Sequence, residues 1–260
     1  MDLPRPRSLQ RSDALFLDFD GTLAAIALRP EDVVVPPYLP DLLSRTASAL
    51  GGALALISGR TIAAVDQLVD GSVRAVSGIH GLEQRSLDGV IHQPATVPTA
   101  ALLSARKTLA ETVGRWPRAF IEHKGLAFAI HYRLESAAKR ELTAAAHTAI
   151  AASDGALKLI EGDCVLEVMI RGSDKGTAIR KFMALPPFAG RHPVFVGDDV
   201  TDEAAFTEVE RQGGLTVIVG TRRPTAARYT IPHVTDVHTW IWQLTAEHAV
   251  RLSKPWSAVI

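Results

Sequence analysis

The sequence predicts an α/β protein: a Rossmann-like, doubly wound parallel sheet with a smaller α+β cap domain inserted into it. Two observations carry this. In the first and last thirds of the chain, short apolar runs ending in glycine alternate with helical patterns. That is how parallel strands covered on both faces read. In the middle third, a hairpin pattern and flanking helices interrupt the alternation. The expected division is a core of residues 1–97 and 169–260 and a cap of residues 98–168.

The elements follow in order. ALFLDF (14–19) is a buried strand stopped by Gly21. PDLLSRTASALGG (40–52) is a helix with Leu39, Leu42, Leu43 and Leu50 on one face, a proline at its start and a Gly-Gly stop. ALALIS (53–58) is a second buried strand, and TIAAVDQLV (61–69) a helix presenting Ile62, Val65 and Leu68. VRAVSGIHG (73–81) is a strand and turn, and SLDGVIH (86–92) carries the Asp-Gly of a hairpin. A helix near 100–113 leads to RAFIEHKGLAFAIHYR (118–133), where Leu126, Phe128, Ile130 and Tyr132 alternate with Ala127, Ala129, His131 and Arg133. A helix over about 135–152 and strands near 157–161 and 164–170 complete the middle. The helix KGTAIRKFM (175–183), the strand PVFVG (193–197), a helix through Phe206, the strand GLTVIVG (214–220) and the helix TWIWQL (239–244) close the chain.

Composition narrows the function. Of the 260 residues, 47% are hydrophobic and 22% charged, enough for a sizeable core and too few charges for disorder. The 28 basic and 28 acidic side chains balance, so no global field draws the chain to nucleic acid or membrane. The lone Cys164 has no partner for an internal disulfide and reads as a small core residue. No apolar run approaches the roughly 20 residues of a membrane span. MDLPRPRSLQRSD has basic residues but no apolar stretch behind them, and is expected to be a frayed tail. The expectation is a cytoplasmic monomer acting on a small molecule. His92, His123, His147, His192, His233, His238 and His248 have no metal-binding spacing.

Ligands of open α/β sheets bind beyond the carboxyl ends of the strands. Those ends carry Asp18 and Asp20; Ser58, Gly59 and Arg60; and Asp198, Asp199 and Asp202. Lys175 joins them at a helix start. Asp18 and Asp20 are two apart and face one way in extended chain. Carboxylates so crowded repel unless a cation sits among them. Asp198 adds a third, and a hard divalent ion such as Mg²⁺ with oxygen ligands resolves the conflict. Lys175, Arg60 and Ser58 form the opposite half, suited to a phosphoryl group. Aspartate can attack phosphorus and carry the phosphoryl group, and a neighbouring carboxylate can move the proton.

DFDGTL (18–23), SGR (58–60), Lys175 and GDDVTDE (197–203) resemble, in order, the four motifs of the haloacid dehalogenase-like phosphatases. The resemblance implies Asp18 as nucleophile and Asp20 as acid/base, with Ser58 and Lys175 holding phosphoryl oxygens. It implies Mg²⁺ on the side chains of Asp18 and Asp198 and the backbone carbonyl of Asp20. Asp199 and Asp202 would orient Lys175 and metal waters.

Substrate choice falls to the cap. Glu122 and Lys124 share a strand face, as do His131 and Arg133, and Glu167 interrupts the apolar run CVLEVMI. Such a face suits a polyhydroxylated ligand, or is simply a solvated sheet face or a set of ordinary salt bridges. DFDGTLAAIALRPEDVVVP (18–36), SGR, SGIHG-LE (77–83), EHKGLAFAIHYR (122–133), LEVMIRGSDKG (166–176) and GDDVTDE resemble the trehalose-6-phosphate phosphatase family over nearly the whole chain. That resemblance implies sugar contacts from Glu122, Lys124, Arg133 and Glu167, and a substrate-facing turn at His80 and Gly81, beside Gly59 and Arg60. Phosphatases for sucrose phosphate or mannosyl-phosphoglycerate share this architecture and stay open, as does an inactive sugar-phosphate-binding module. The latter predicts a damaged motif, and none is damaged.

Overall fold

β1 (Asp13–Leu17) is the middle of the molecule, and all five of its residues are buried. In the computed structural model, which describes residues 3–252 and side chains as far as 246, an eight-stranded sheet spreads from it to both sides. β2 (Leu54–Ile57) and β3 (Ala75–Gly78) lie on one flank, extended by the antiparallel β4 (Glu83–Arg85) and β5 (Ile91–His92). β10 (His192–Gly197), β11 (Leu215–Val219) and β12 (Tyr229–Ile231) lie on the other. All pairings from β12 through β1 to β3 are parallel. Strand order therefore reverses at β1, and the crevice at its carboxyl end is where a doubly wound sheet binds ligands.

The helices α1 (Leu39–Ala49), α2 (Ile62–Val69), α5 (Lys175–Met183), α6 (Glu203–Arg211) and α7 (Val234–Leu252) cover this sheet. Phe16, Phe182 and Phe188 pack with ring centroids 5.3–6.2 Å apart and lock α5 onto β1. β12 carries no apolar run that would announce it; Thr230 Oγ1 donates to the Ile218 and Gly220 carbonyls at 3.1 and 3.0 Å and holds it at the edge.

The expected frayed N-terminus is instead part of the core. Arg7 grips Asp13 with two hydrogen bonds of 2.8 Å, and Leu9 is buried. The Trp240 indole donates to the Arg7 carbonyl at 2.9 Å, and Thr230 N to the Pro4 carbonyl at 3.0 Å. Asp13 is fully buried at the start of β1, and a buried carboxylate needs a charged partner. Arg7 supplies it and draws the segment in.

A second, antiparallel sheet has the order β6 (Phe120–His123), β7 (Ala127–His131), β9 (Val165–Ile170), β8 (Leu157–Gly162). Its own apolar core joins it to α3 (Thr99–Val113) and α4 (Lys139–Ala151), and takes in Ile79 and Leu82 from beyond β3. Phe128 and Ile130 point into that core. Among the described residues no helix is long and apolar enough to cross a membrane.

Candidate active site

β1 ends at Leu17, so Asp18 is the first residue beyond the sheet's central strand. Its amide still donates to the Val196 carbonyl on β10 at 2.9 Å, which fixes its position. Lys175, the first residue of α5, donates to Asp18 Oδ1 at 2.7 Å and to Asp202 Oδ1 at 2.6 Å, with all three side chains buried. The other Asp202 oxygen accepts the amides of Asp198 and Asp199 at 2.9 and 3.0 Å. Asp202 is thus fully spent on holding Lys175 and the loop after β10. An ammonium has three donors, and two of those on Lys175 are used, so one remains for a ligand.

Burial, the Asp202 charge and the nearby Asp20 push the Asp18 carboxyl up to about 7, against the pull of Lys175. Burial and the charges of Asp18 and Asp202 push Asp198 up to about 9. Burial works against the Lys175 ammonium, yet Asp18 and Asp202 outweigh it and keep it charged. Burial raises Asp199 as well. The site therefore holds more negative charge than its own cation neutralises.

A carboxylate oxygen from each of Asp18, Asp198 and Asp202 lies within 4.8 Å of the others. Since Asp202 is spent, the free oxygens belong to Asp18 and Asp198. Asp198 Oδ1 is buried without any hydrogen-bond partner, an expensive state for a carboxylate. Gly21 makes room for it: a Cβ there would lie 2.0 Å from Asp198 Oδ2, and φ is +81°. An unpartnered oxygen, raised carboxyl pKa values and oxygen-only donors fit a small, hard divalent cation. Arg222 braces the loop from outside, donating to the Asp198 and Asp199 carbonyls at 3.2 Å each and pairing with Glu203.

Arg60 departs from its expected place on the anion. Its Nε and one terminal nitrogen grip Asp20 at 2.7 and 2.8 Å, and both terminal nitrogens donate to the Pro30 carbonyl at 3.1 Å. Four of its five donors are thereby used. It positions Asp20 and the 26–33 segment, rather than standing open to a ligand. Ser58 is buried, and its hydroxyl accepts the Arg60 amide at 3.1 Å.

The second sheet lies over this crevice. One cross-strand row reads Glu122, Ala129, Glu167, Ile160. Residues of one row share a face, so the small Ala129 leaves a gap between two glutamates. Lys124 reaches into it, 3.1 Å from Glu167 Oε1 and 3.8 Å from Glu122, and also donates to the Gly59 carbonyl of the core at 3.1 Å. His80 Nε2 is 2.7 Å from the other Glu167 oxygen. Burial works to raise the Glu167 carboxyl, but Lys124 and His80 outweigh it and hold it well below the usual range. Burial likewise opposes Glu122, whose pKa is lowered by His131, 2.8 Å away, and by Lys124. His80 stands in a left-handed turn with Ile79 (φ 51° and 47°), pinned by its amide to the Ser58 carbonyl at 3.0 Å. A Cβ at Gly59 would sit 2.6 Å from His80 Nε2, so glycine is needed there.

The cavity has a volume of about 180 Å³. Asp18, Asp20, Gly59, Arg60, His80, Glu122, Lys124, Arg133, Glu167, Lys175, Asp198 and Asp199 all line it. Arg133 lies there paired with Asp163 at 2.9 Å. Ser58 and Asp202 lie behind the lining, and Gly81 faces away, against Ser173 and Asp174. Sequence reasoning did not single out Arg222, or Ile26 to Arg29 and Val33 on the cavity wall. Nothing in their spacing distinguishes them from ordinary loop residues.

The sequence pattern of the trehalose-phosphatase family matches residues 16–234. The trehalose-6-phosphate phosphatase of Escherichia coli (strain K12) is 40% identical over 232 residues, covering 89% of this chain and 86% of that protein. A probable trehalose-phosphate phosphatase of Sinorhizobium fredii is 41% identical over 207 residues, covering 80% and 77%. In fold, the chain overlays the C-terminal domain of C. albicans trehalose-6-phosphate phosphatase with a TM-score of 0.81 at 18% identity, over 94% of this chain and 98% of that one. A sugar phosphatase of HAD subclass IIB overlays with a TM-score of 0.60 at 12% identity, over 92% and 99%. These matches show that the chain belongs to the trehalose-phosphatase family, a family of phosphoric monoester hydrolases.

Proposed function

We propose that the protein hydrolyses trehalose 6-phosphate to trehalose and phosphate, with Mg²⁺ bound and through an aspartyl-phosphate on Asp18. The observation that carries this is the buried Asp18–Lys175–Asp202 chain beside the unpartnered Asp198, roofed by the Glu122–Lys124–Glu167 row. Asp18, Asp198 and the Asp20 carbonyl would hold Mg²⁺, which when bound would neutralise charge on the phosphoryl oxygens. The free donor of Lys175 takes one phosphoryl oxygen, and Ser58 a second. An Asp18 carboxylate oxygen attacks phosphorus as the bond to the sugar oxygen breaks. Asp20, aimed by Arg60, gives that oxygen its proton. Asp20 then takes a proton from water as the water displaces Asp18 from phosphorus, restoring the Asp18 carboxylate and the protonated Asp20 that began the cycle.

Residues 98–168 act as the cap that chooses the sugar. Glu122, Lys124, Glu167 and Arg133 offer alternating acceptors and donors to hydroxyls, and His80 with Gly59 closes the floor. The cavity, at about 180 Å³, is smaller than the roughly 300–1,000 Å³ of typical ligand sites, so substrate enters by lifting the cap. The reading places the chain in the cytoplasm as a monomer, with the sugar phosphate as its small-molecule partner.

Phosphate release across a panel of sugar phosphates, with and without Mg²⁺, tests this reading. Asp18→Asn should abolish turnover with an unchanged circular dichroism spectrum. Glu122→Ala with Lys124→Ala should impair trehalose 6-phosphate by about 10²-fold or more while sparing an aryl phosphate. Equal losses on both substrates would remove the cap from the specificity argument.

A further inference from the structure

A second cavity, of about 480 Å³, lies behind the active site. The His80–Gly81 turn separates the two: His80 lines one and Gly81 the other. Its walls are the β4–β5 hairpin, the crossing from β9 into α5, and the side of α5.

Charge distinguishes this cavity. His92, Arg171 and Lys181 line it, and no aspartate or glutamate does. Arg171 uses only its Nε, donating to the Leu157 carbonyl at 3.1 Å, and the structure shows no partner for Lys181 or His92. The carboxylates adjacent in sequence are committed elsewhere. Glu83 accepts the Ile62 amide and the Gln93 side chain at 3.0 Å each, and Asp174 caps α5 through the Thr177 amide at 2.6 Å. Lys158, hydrogen-bonded to the Ser173 carbonyl at 2.5 Å, titrates below its usual range. Burial is the main cause, and repulsion by Arg171 adds to it against the pull of Asp174. Positive side chains thus line the cavity with no carboxylate among its lining residues.

Polar capacity is also unspent. Gln84 Oε1 and Ser173 Oγ, on two buried residues of the wall, have no hydrogen-bond partner. Ser86 and Gln93 add a hydroxyl and an amide, while Leu82 and Pro94 contribute apolar surface. Cations for a phosphate, amides and hydroxyls for sugar hydroxyls, apolar patches for a ring face, and no aromatic platform for a base together define one ligand class.

We propose that this cavity is a second ligand site, for a small phosphorylated sugar, bound with its phosphate among His92, Arg171 and Lys181. An occupant would touch both the β4–β5 hairpin of the core and the crossing that leads from the second sheet into α5. It therefore sits at the junction the cap must move about, sharing a wall with the His80–Glu167 contact.

Calorimetric titration of the full chain with glucose 6-phosphate in the presence of a chelator tests this, independently of whether the chain hydrolyses trehalose 6-phosphate. Arg171→Gln with Lys181→Gln changes two exposed side chains outside the active site. The wild type should show a binding event that this variant weakens at least about tenfold, in addition to any event at the active site that both retain. Lys181→Gln alone should show part of the same loss should the double variant melt early. Inorganic phosphate should bind the site about tenfold more weakly than glucose 6-phosphate. Binding curves that match in wild type and double variant, or a wild type with no event beyond the active site, overturn the site. Equal affinity for inorganic phosphate and the sugar phosphate overturns the sugar.

Discussion

Asp18 and Asp198 illustrate how single residues set the conditions for the chemistry. Without a cation, burial and the charges of neighbouring aspartates, Asp202 for both and Asp18 for Asp198, hold their carboxyls at about 7 and about 9. Both values lie above those of an unfolded chain, roughly 3.9 for Asp. The stability they contribute is then full below that unfolded value and is lost as pH rises through 7 and on towards 9. A bound divalent cation removes this loss by replacing the protons. Mg²⁺ should therefore raise the melting temperature more at pH 8 than at pH 5.5, and Asp198→Asn should remove most of the pH 8 effect. A shift that is the same at both pH values would count against these two carboxylates as the cation's ligands. At this scale the motif residues were legible because they stand where strands end or, for Lys175, where a helix starts, and such ends can be read from apolar runs and helical spacing. Arg222 was not legible: it acts through backbone carbonyls 23 and 24 positions away, and no local pattern encodes that.

The row Glu122, Ala129, Glu167, Ile160 belongs to the scale of elements. Strand periodicity placed Glu122 with Lys124, and His131 with Arg133, on shared faces. It did not place Glu167 opposite them, because register between β7 and β9 depends on a chain reversal through α4 and β8. Once paired, fully buried Ala129 is the spacer that lets Lys124 reach Glu167. Ala129→Leu should fill that gap. It should cost about 1–3 kcal/mol in denaturant melts from overpacking, and raise KM for trehalose 6-phosphate several-fold more than KM for an aryl phosphate. Equal KM changes would mean the gap serves only packing. Arg60 shows the same limit from the other side. Its position after β2 was plain in the sequence, yet its carboxylate partner comes from the end of β1 and its carbonyl partner from Pro30.

At the scale of the molecule, the core and the second sheet are tied across the crevice by Glu167 to His80, Lys124 to the Gly59 carbonyl, and Arg29 stacked 5.0 Å over Phe120. The basic N-terminus is bound in as well. Arg7→Ala should strip buried Asp13 of its two-pronged partner and lower stability by roughly 2 kcal/mol, less than for a fully buried pair because Arg7 is partly solvated. A melting temperature unchanged by Arg7→Ala would show the segment to be dispensable for folding. What the sequence by itself determined was the alternation of strands and helices, the polar motifs at strand ends and the interrupting middle segment, since these rest on local periodicity and on residue chemistry. What only the tertiary structure decided was which charges meet: Arg7 with Asp13, Arg60 with Asp20, Lys124 between Gly59 and Glu167, and Arg171 with Lys181 around a second cavity. Ion pairs and cavities form between segments distant in the chain, and their partners are selected by topology and register, which no stretch of sequence carries alone.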